Sequence, residues 1–489
     1  MERLINPTPL RGSNGIAFGP DGRLHVAEYL PGRISAVDVT TGDVEVVVAP
    51  DGPIASPDDL AFDADGAMYV TDLAPGRVWR RTPAGGFDLV ADGIRNPNGV
   101  ACVGNRVFVN EMVPGGRLLE VGAGEPVVLA EGLMMGNAMQ AGPDGLLYYP
   151  HMFPGEVYRI SPDGGTPELV AGDVPQTVAV RFDRDGVLIV LSLDEAGTIW
   201  RIDGDRRTTV TTGIAGLDNA AFDARNRMFV SSFSAGGITE VLPDGGLRDV
   251  VPRGLAGPYG LAVDAAGALH VADHYRLDGV FLPFAHALAA GDGALHFTSQ
   301  YGQAVTFDPG SRSTRTRAED LDQPQGIAVR ADGALVIAEA GTGRVLAVGP
   351  GGTTDVLAEG LGRPVDVALD AGGRCYVSDE QHGTVYRLDS GKPVALAEGL
   401  DTPQGLVVAD GRPIVVEAGR RRLVEVGPPL RVLAADLPIA APRHARPALF
   451  AQSMPGVPRQ FTALAAGPDG SLYLAGTADG SVMRLSYPF

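Results

Sequence analysis

One pattern of polar and apolar positions recurs along the chain. A polar residue opens each copy, a short apolar strand follows, a tight turn reverses direction, and a second apolar strand ends on another polar residue. Asn98-Gly99-Val100-Ala101 leads in this way to Val109-Asn110-Glu111. Asn14-Gly15-Ile16-Ala17 leads likewise to Val26-Ala27-Glu28, and Asp58-Asp59-Leu60-Ala61 to Val70-Thr71-Asp72. Turns such as Gly19-Pro20-Asp21-Gly22 between apolar runs mark antiparallel hairpins. The openers fall at Asn14, Asp58, Asn98, Asn137, Gln176, Asp218, Tyr259, His286, Gln325, Val365, Gln404 and Thr462, and nearly all spacings are 39 to 44 residues. That period is the length of one four-stranded propeller blade. Within the second copy the strands read as 59–62, 67–72, 77–81 and 87–91, and no helical period interrupts the series. The fold expected is therefore all-β, a β-propeller of twelve four-stranded repeats.

Two spacings break the rule. Tyr259 to His286 is only 27 residues, so the seventh repeat has lost its outer strand or borrows one. Gln404 to Thr462 is 58 residues, which leaves an insertion near 438–460 containing Arg443, His444, Arg446 and Phe450. It reads as a Pro/Ala-rich surface loop, or as an overhang above the polar face. A single ring of twelve would leave a wide axial hole, so two six-bladed propellers in tandem, 1–245 and 246–489, fit better. In that partition the strand at 3–6 completes the sixth blade and the strand at 247–251 the twelfth. Seven blades plus five, cut near Pro283, is the alternative.

Composition narrows the function classes. At 489 residues the chain has room for two domains, with 45% hydrophobic and 20% charged residues as in ordinary globular proteins. A net charge of -20, with Lys392 the only lysine, argues against a nucleic-acid surface and suits cation binding where carboxylates converge. Cys102 and Cys375 provide no disulfide framework and read as buried thiols. The first residues show no signal-peptide pattern and no apolar run reaches membrane-spanning length, so the expectation is a cytoplasmic protein with no membrane partner.

A hairpin brings its opener and its closing residue to one end. The first half pairs Asn14 with Glu28, Asp58 with Asp72, Asn98 with Glu111, Asn137 with His151, Gln176 with Ser192, and Asp218 with Ser232. Converging on one channel mouth, these oxygens would form a hard cage for Ca²⁺ or Mg²⁺. Polar residues opening strands also hydrogen-bond turn backbone, which is the competing reading. His151 is the candidate general base there, and Glu111 is the second catalytic candidate. His25, His270 and His296 take a position filled elsewhere by Tyr69, Phe108 and Tyr148 and read as structural. The second half offers a second-ranked substrate site at Tyr259, His274 and His286.

The repeat from Asn14-Gly15-Ile16-Ala17-Phe18 through Leu24-His25-Val26-Ala27-Glu28 resembles the senescence marker protein/gluconolactonase family, which shades into paraoxonases, strictosidine-synthase-like proteins and NHL-repeat propellers. The resemblance implies a divalent cation, Ca²⁺ first, in the channel and the opening of a small lactone or ester by metal-activated water. It implies ligands at Asp58, Asn98, Asn137 and Asp218, with Glu28 standing in for an early glutamate. Asn98 in Asn96-Pro97-Asn98-Gly99-Val100 matches the family's asparagine, and Asp218-Asn219 its paired acid and amide. The partner expected is a small-molecule substrate. A lyase, isomerase or cyclase without obligatory metal, and a non-catalytic NHL-like binding propeller, are the alternatives.

Overall fold

The computed structural model describes residues 1–389, 391–440 and 461–486, apart from the side chains of His274, Phe281 and Pro283. Arg443, His444, Arg446 and Phe450 of the expected insertion lie outside the described residues. The chain is all-β. Among the described residues the strands form ten four-stranded antiparallel sheets and one six-stranded sheet, with no helix. The first complete sheet runs Ser13–Phe18, Leu24–Glu28, Arg33–Val37, Val44–Val48 in chain order, and its neighbours repeat that order. The Asp-Gly turns work as the pattern requires. Asp63 Oδ1 accepts the N–H groups of Asp65 and Ala67 at 3.0 and 2.8 Å, while Gly66 takes φ 81°, a conformation costly for any residue with a Cβ.

The short spacing at Tyr259 is resolved by borrowing. Val280–Gly291 is twelve residues long: its first part pairs with Leu269–Leu277, and its second part pairs with Ala294–Ser299 as the inner strand of the next repeat. The two repeats merge into the six-stranded sheet.

Among the described residues two compact units result: an N-terminal unit, Thr8–Ala256, and a C-terminal unit of Met1–Pro7 with the described residues from Gly257 on. The division at residue 245 and the two completing strands are corrected accordingly. Leu247–Val251 pairs with Ile238–Val241 inside the N-terminal unit, and Glu2–Ile5 pairs with Ser481–Leu485 inside the C-terminal one. The inner strands of the N-terminal unit touch in a closed cycle: Ser13–Phe18, Pro57–Phe62, Pro97–Val103, Gln140–Ala141, Thr177–Phe182, Leu217–Phe222 and back to the first. In the C-terminal unit Gly260–Val263, Val280–Gly291, Pro324–Val329, Pro364–Leu369, Pro403–Ala409 and Leu464–Ala466 do the same. Apolar side chains fill the spaces between neighbouring sheets, with Phe108 and Tyr149 buried between the third and fourth and Phe229 between the sixth and first.

Neighbouring repeats are stitched at the channel. Where the residue before the closer carries a donor, it reaches the backbone carbonyl of the next opener: Thr71 Oγ1 to Asn98 O, Asn110 Nδ2 to Asn137 O and Ser231 Oγ to Asn14 O, each at 2.6 Å. Thr298 and Ser378 repeat the contact in the C-terminal unit. The approach explains the glycine after the opener, since a Cβ on Gly99 would collide with the Asn137 carbonyl.

Candidate functional site

Openers and closers part company at a β-bulge. The closer pairs with the residue before the opener, Ser13 with Glu28 and Pro57 with Asp72, and the register shifts just after it. The extra residue re-aims the opener relative to its partner. The closers consequently become loop clamps. Glu28 accepts from Arg11 N–H at 2.9 Å, Arg33 Nε at 2.7 Å and Ser35 Oγ at 2.6 Å. Asp72 accepts from Ser56 N–H at 2.7 Å and from Trp79 Nε1. Glu111 is gripped by Arg95 and Arg117, each with an Nη2 at 2.6 Å. Burial alone would raise the Glu111 pKa, but the two guanidiniums outweigh it and hold it at about 2. Asp273, Glu339, Asp379 and Glu417 clamp the loops before their own repeats in the same way.

Glu28 and Glu111 therefore do not join the axial group, and neither does His151. The His151 ring packs 4.7 Å from Tyr158 and 5.8 Å from Tyr149, against the sheet face that holds both tyrosines. Burial lowers its pKa, with Glu156 opposing.

The openers Asn14, Asp58, Asn98, Asn137 and Asp218 do occupy equivalent positions around the N-terminal channel. Asn14 Nδ2 donates to Asp58 Oδ2 at 3.2 Å. Asn98 and Asn137 both turn their Nδ2 toward Met112 Sδ, at 3.0 and 3.8 Å. Asp58 and Asp218 are close enough to repel each other. Burial and then the Asp59 charge push the Asp58 carboxyl up to about 7, and Asp218 is pushed well above the usual range by burial and by Asp58 and Asp59. Gln176 is not the fifth opener. It is exposed with φ 51°, and register places Val178 at the opening position, so the fifth repeat offers no ligand there.

Two residues that sequence reading passed over form the layer beneath. Asp59, one place after its opener, accepts from Asn219 Nδ2 at 3.1 Å and Val100 N–H at 3.3 Å, with Arg181 Nη2 at 3.5 Å. Arg181 sits three places after Val178, where Ala17, Ala61, Ala101 and Ala221 stand in sister repeats. The missing side-chain volume of those alanines leaves room for it. Its Nη1 donates to Met139 O at 2.7 Å and Val180 O at 3.0 Å, and its Nε to Ala220 O at 3.2 Å. Burial raises the Asp59 pKa and Arg181 chiefly opposes it. Asn219 thus serves Asp59 rather than adding an oxygen beside Asp218. The signal was in the sequence: an arginine in a column of four alanines and Gln140, and an aspartate in a column of glycine, alanine and Asn219.

The donor set fits a hard cation. Asn14 Oδ1 and Asn98 Oδ1 are buried without a hydrogen-bond partner, in residues 8% and 3% exposed, and Asn14 touches Asp58, one of two carboxylates that repel one another. No group of three His, Cys, Asp or Glu side chains with metal-binding spacing occurs among the described residues, so this set leans on amide oxygens, which Ca²⁺ accepts readily.

In the C-terminal unit Tyr259 stacks on His286 with ring centres 5.5 Å apart and planes 14° from parallel, and Phe461 lies 5.9 Å beyond. The side chain of His274 lies outside the described residues. Asp366 occupies the position of Asp59 and accepts from Leu406 N–H at 2.8 Å and Val367 N–H at 2.9 Å, with burial raising its pKa to about 8. Cys102 and Cys375 are free thiols, both pushed up to about 12, by burial in the first place.

No family model matches the chain, and no curated protein matches it. Among solved structures it is similar to selenomethionine-substituted virginiamycin B lyase from Staphylococcus aureus, with a TM-score of 0.40, 15% identity, and 60% of this chain and 94% of that chain covered. It is also similar to a streptogramin B lyase structure, with a TM-score of 0.34, 15% identity, and coverage of 69% and 93%.

Proposed function

We propose that the N-terminal unit is a cation-dependent enzyme that opens a small cyclic ester at its channel mouth. Asp58, Asp218, Asn14, Asn98 and Asn137 would hold the ion, Ca²⁺ in the first instance. The observation that carries this reading is the pair of orphaned buried amide oxygens on Asn14 and Asn98. Each such acceptor costs about 1–3 kcal/mol when left unmade, and a cation relieves both together with the carboxylate repulsion. When bound, a divalent ion there polarises a carbonyl and makes water a better nucleophile.

The chain's own residues supply the rest. Asp59, Asn219 and Arg181 lie beneath the openers, so substrate enters from the mouth. Asp218, more exposed than Asp58, would accept a proton from attacking water. Met112 orients the amides of Asn98 and Asn137, and Asp58 orients that of Asn14.

The test is elemental analysis of purified protein, with a lactone panel assayed before and after chelation. One equivalent of divalent metal, activity lost with chelator and restored by Ca²⁺, and ¹⁸O from water in the product are expected. Activity indifferent to chelator, or a product free of ¹⁸O, overturns the reading.

A second reading places acid–base chemistry without metal, of the lyase type, in the C-terminal unit. The observation favouring it is His286 stacked under Tyr259 at an opener position, in a ring whose other openers present no crowded carboxylate pair. It requires that His286→Ala abolish turnover that chelator leaves untouched.

A further inference from the structure

The N-terminal channel has a second end. Beyond the Asp59–Arg181 layer, on the side of the hairpin turns, lies an open cavity of about 410 Å³ lined by all six inner strands. Its wall combines an aromatic collar with polar groups that expose the larger share of its surface. Phe18, Phe62, Phe182 and Phe222 stand four places after their openers and line it together, and alanines fill most of the positions just before them. The equivalent residues of the C-terminal ring are Val263, Ala290, Val329, Leu369, Val408 and Ala466, so the aromatic collar belongs to the N-terminal ring alone.

Two cations face this space. Arg181 lines its inner part, and Arg184 lines it on the turn that follows. Arg181 spends Nη1 and Nε on three backbone carbonyls, while Nη2 has only the long 3.5 Å contact to Asp59, leaving an N–H to give. Arg184 binds Asp223 O through Nε at 3.2 Å and Phe222 O through Nη2 at 3.1 Å, which fixes its plane and leaves Nη1 over for a ligand. Backbone carbonyls orient both guanidiniums; Asp59 offsets part of the charge of Arg181, whereas Arg184 meets no carboxylate among the described residues. A carboxylate can therefore accept one charge-assisted N–H from Nη2 of Arg181 and another from Nη1 of Arg184.

We propose that this cavity is a binding site for a small arylalkyl carboxylate, its ring against the phenylalanine collar and its carboxylate on Arg181 and Arg184. The site is separate from the mouth and stands whether or not a cation binds there. A concave wall that joins aromatic side chains to a few oriented polar groups is what small-molecule sites share. The aromatic collar selects a flat apolar body, and the arginines select the charge.

Calorimetric titration of the full chain with benzoate, phenylacetate and 3-phenylpropionate, each beside its neutral amide, tests this. At least one carboxylate should bind with Kd on the order of 10 μM to 1 mM, and its amide about tenfold more weakly or worse. Ala61→Trp, or Ala17→Trp should the first fail to fold, plugs the cavity and should abolish the signal while circular dichroism stays unchanged. Arg184→Gln should weaken binding several-fold. Amides binding as tightly as acids, full binding to a folded plugged variant, or no heat from any probe up to about 5 mM each overturn the proposal.

Discussion

Asp59 and Asp366 occupy the same position in their two units, and only Asp59 meets an arginine. The contrast sets two expectations. Asp366 holds a proton in the folded state up to about pH 8, whereas the unfolded chain releases it near the ordinary 3.8. A raised folded pKa means that its contribution is full below about pH 4, is lost as pH rises from there to about 8, and is flat beyond. The C-terminal unit should lose up to about 1.4 kcal/mol per pH unit across that window from this group, a slope that Asp366→Asn removes in pH-dependent urea melts. Arg181→Ala should instead destabilise the N-terminal unit by about 3–5 kcal/mol, because Asp59 is left buried and unpaired. Arg181→Ala with Asp59→Asn should cost less than the two changes summed, and strict additivity would refute the pairing. These residues were legible only by aligning repeats column by column. Openers draw the eye as polar residues in apolar surroundings, whereas Arg181 is informative only against four alanines.

At the scale of the strand, the hairpin period was readable and its consequence was not. Alternation and Asp-Gly turns place opener and closer at one end of a hairpin, which the pairing of Ser13 with Glu28 and Pro57 with Asp72 bears out to within one residue. A period of two carries no signature of the extra residue at a bulge, so the acids of the second strand read as channel lining when they are clamps. Their role predicts a direction opposite to that of Asp366. Glu111, held at about 2 by Arg117 and Arg95 against burial, contributes stability that is present above its ordinary 4.5 and is lost as pH falls toward 2. Glu111→Gln should cost about 1–3 kcal/mol at neutral pH and speed amide exchange in the loop carrying Arg95, whose N–H donates to Glu111 at 3.2 Å. Turnover at the channel mouth should survive the change. Loss of turnover with an unchanged melting temperature would return Glu111 to the catalytic group.

For the whole molecule, counting repeats shows that two short strands, at 3–6 and 247–251, must each complete a sheet, and either assignment satisfies the count. What decides it is locality. Leu247–Val251 follows Ile238–Val241 across a tight turn in which Gly245 takes φ 84° and Gly246 N–H binds Asp244 Oδ1 at 2.9 Å. Closing that hairpin costs far less chain entropy than a long-range pairing, so the sixth sheet completes itself. Glu2–Ile5 is then left for Ser481–Leu485, and Arg3 reaches Asp479 at 3.3 Å beside that pairing. The last sheet therefore depends on a strand from the far end of the chain, without which Ser481–Leu485 presents an open edge. Removing residues 1–7 should lower the stability of the C-terminal unit and raise amide exchange first in Ser481–Leu485 and Leu472–Gly476, with the six sheets of Thr8–Ala256 unchanged. Added peptide of residues 1–7 should restore protection in proportion to its occupancy. Segment-resolved hydrogen exchange reads each sheet separately, and loss of protection in Leu247–Val251 on truncation would show that the closing strand had been assigned to the wrong ring.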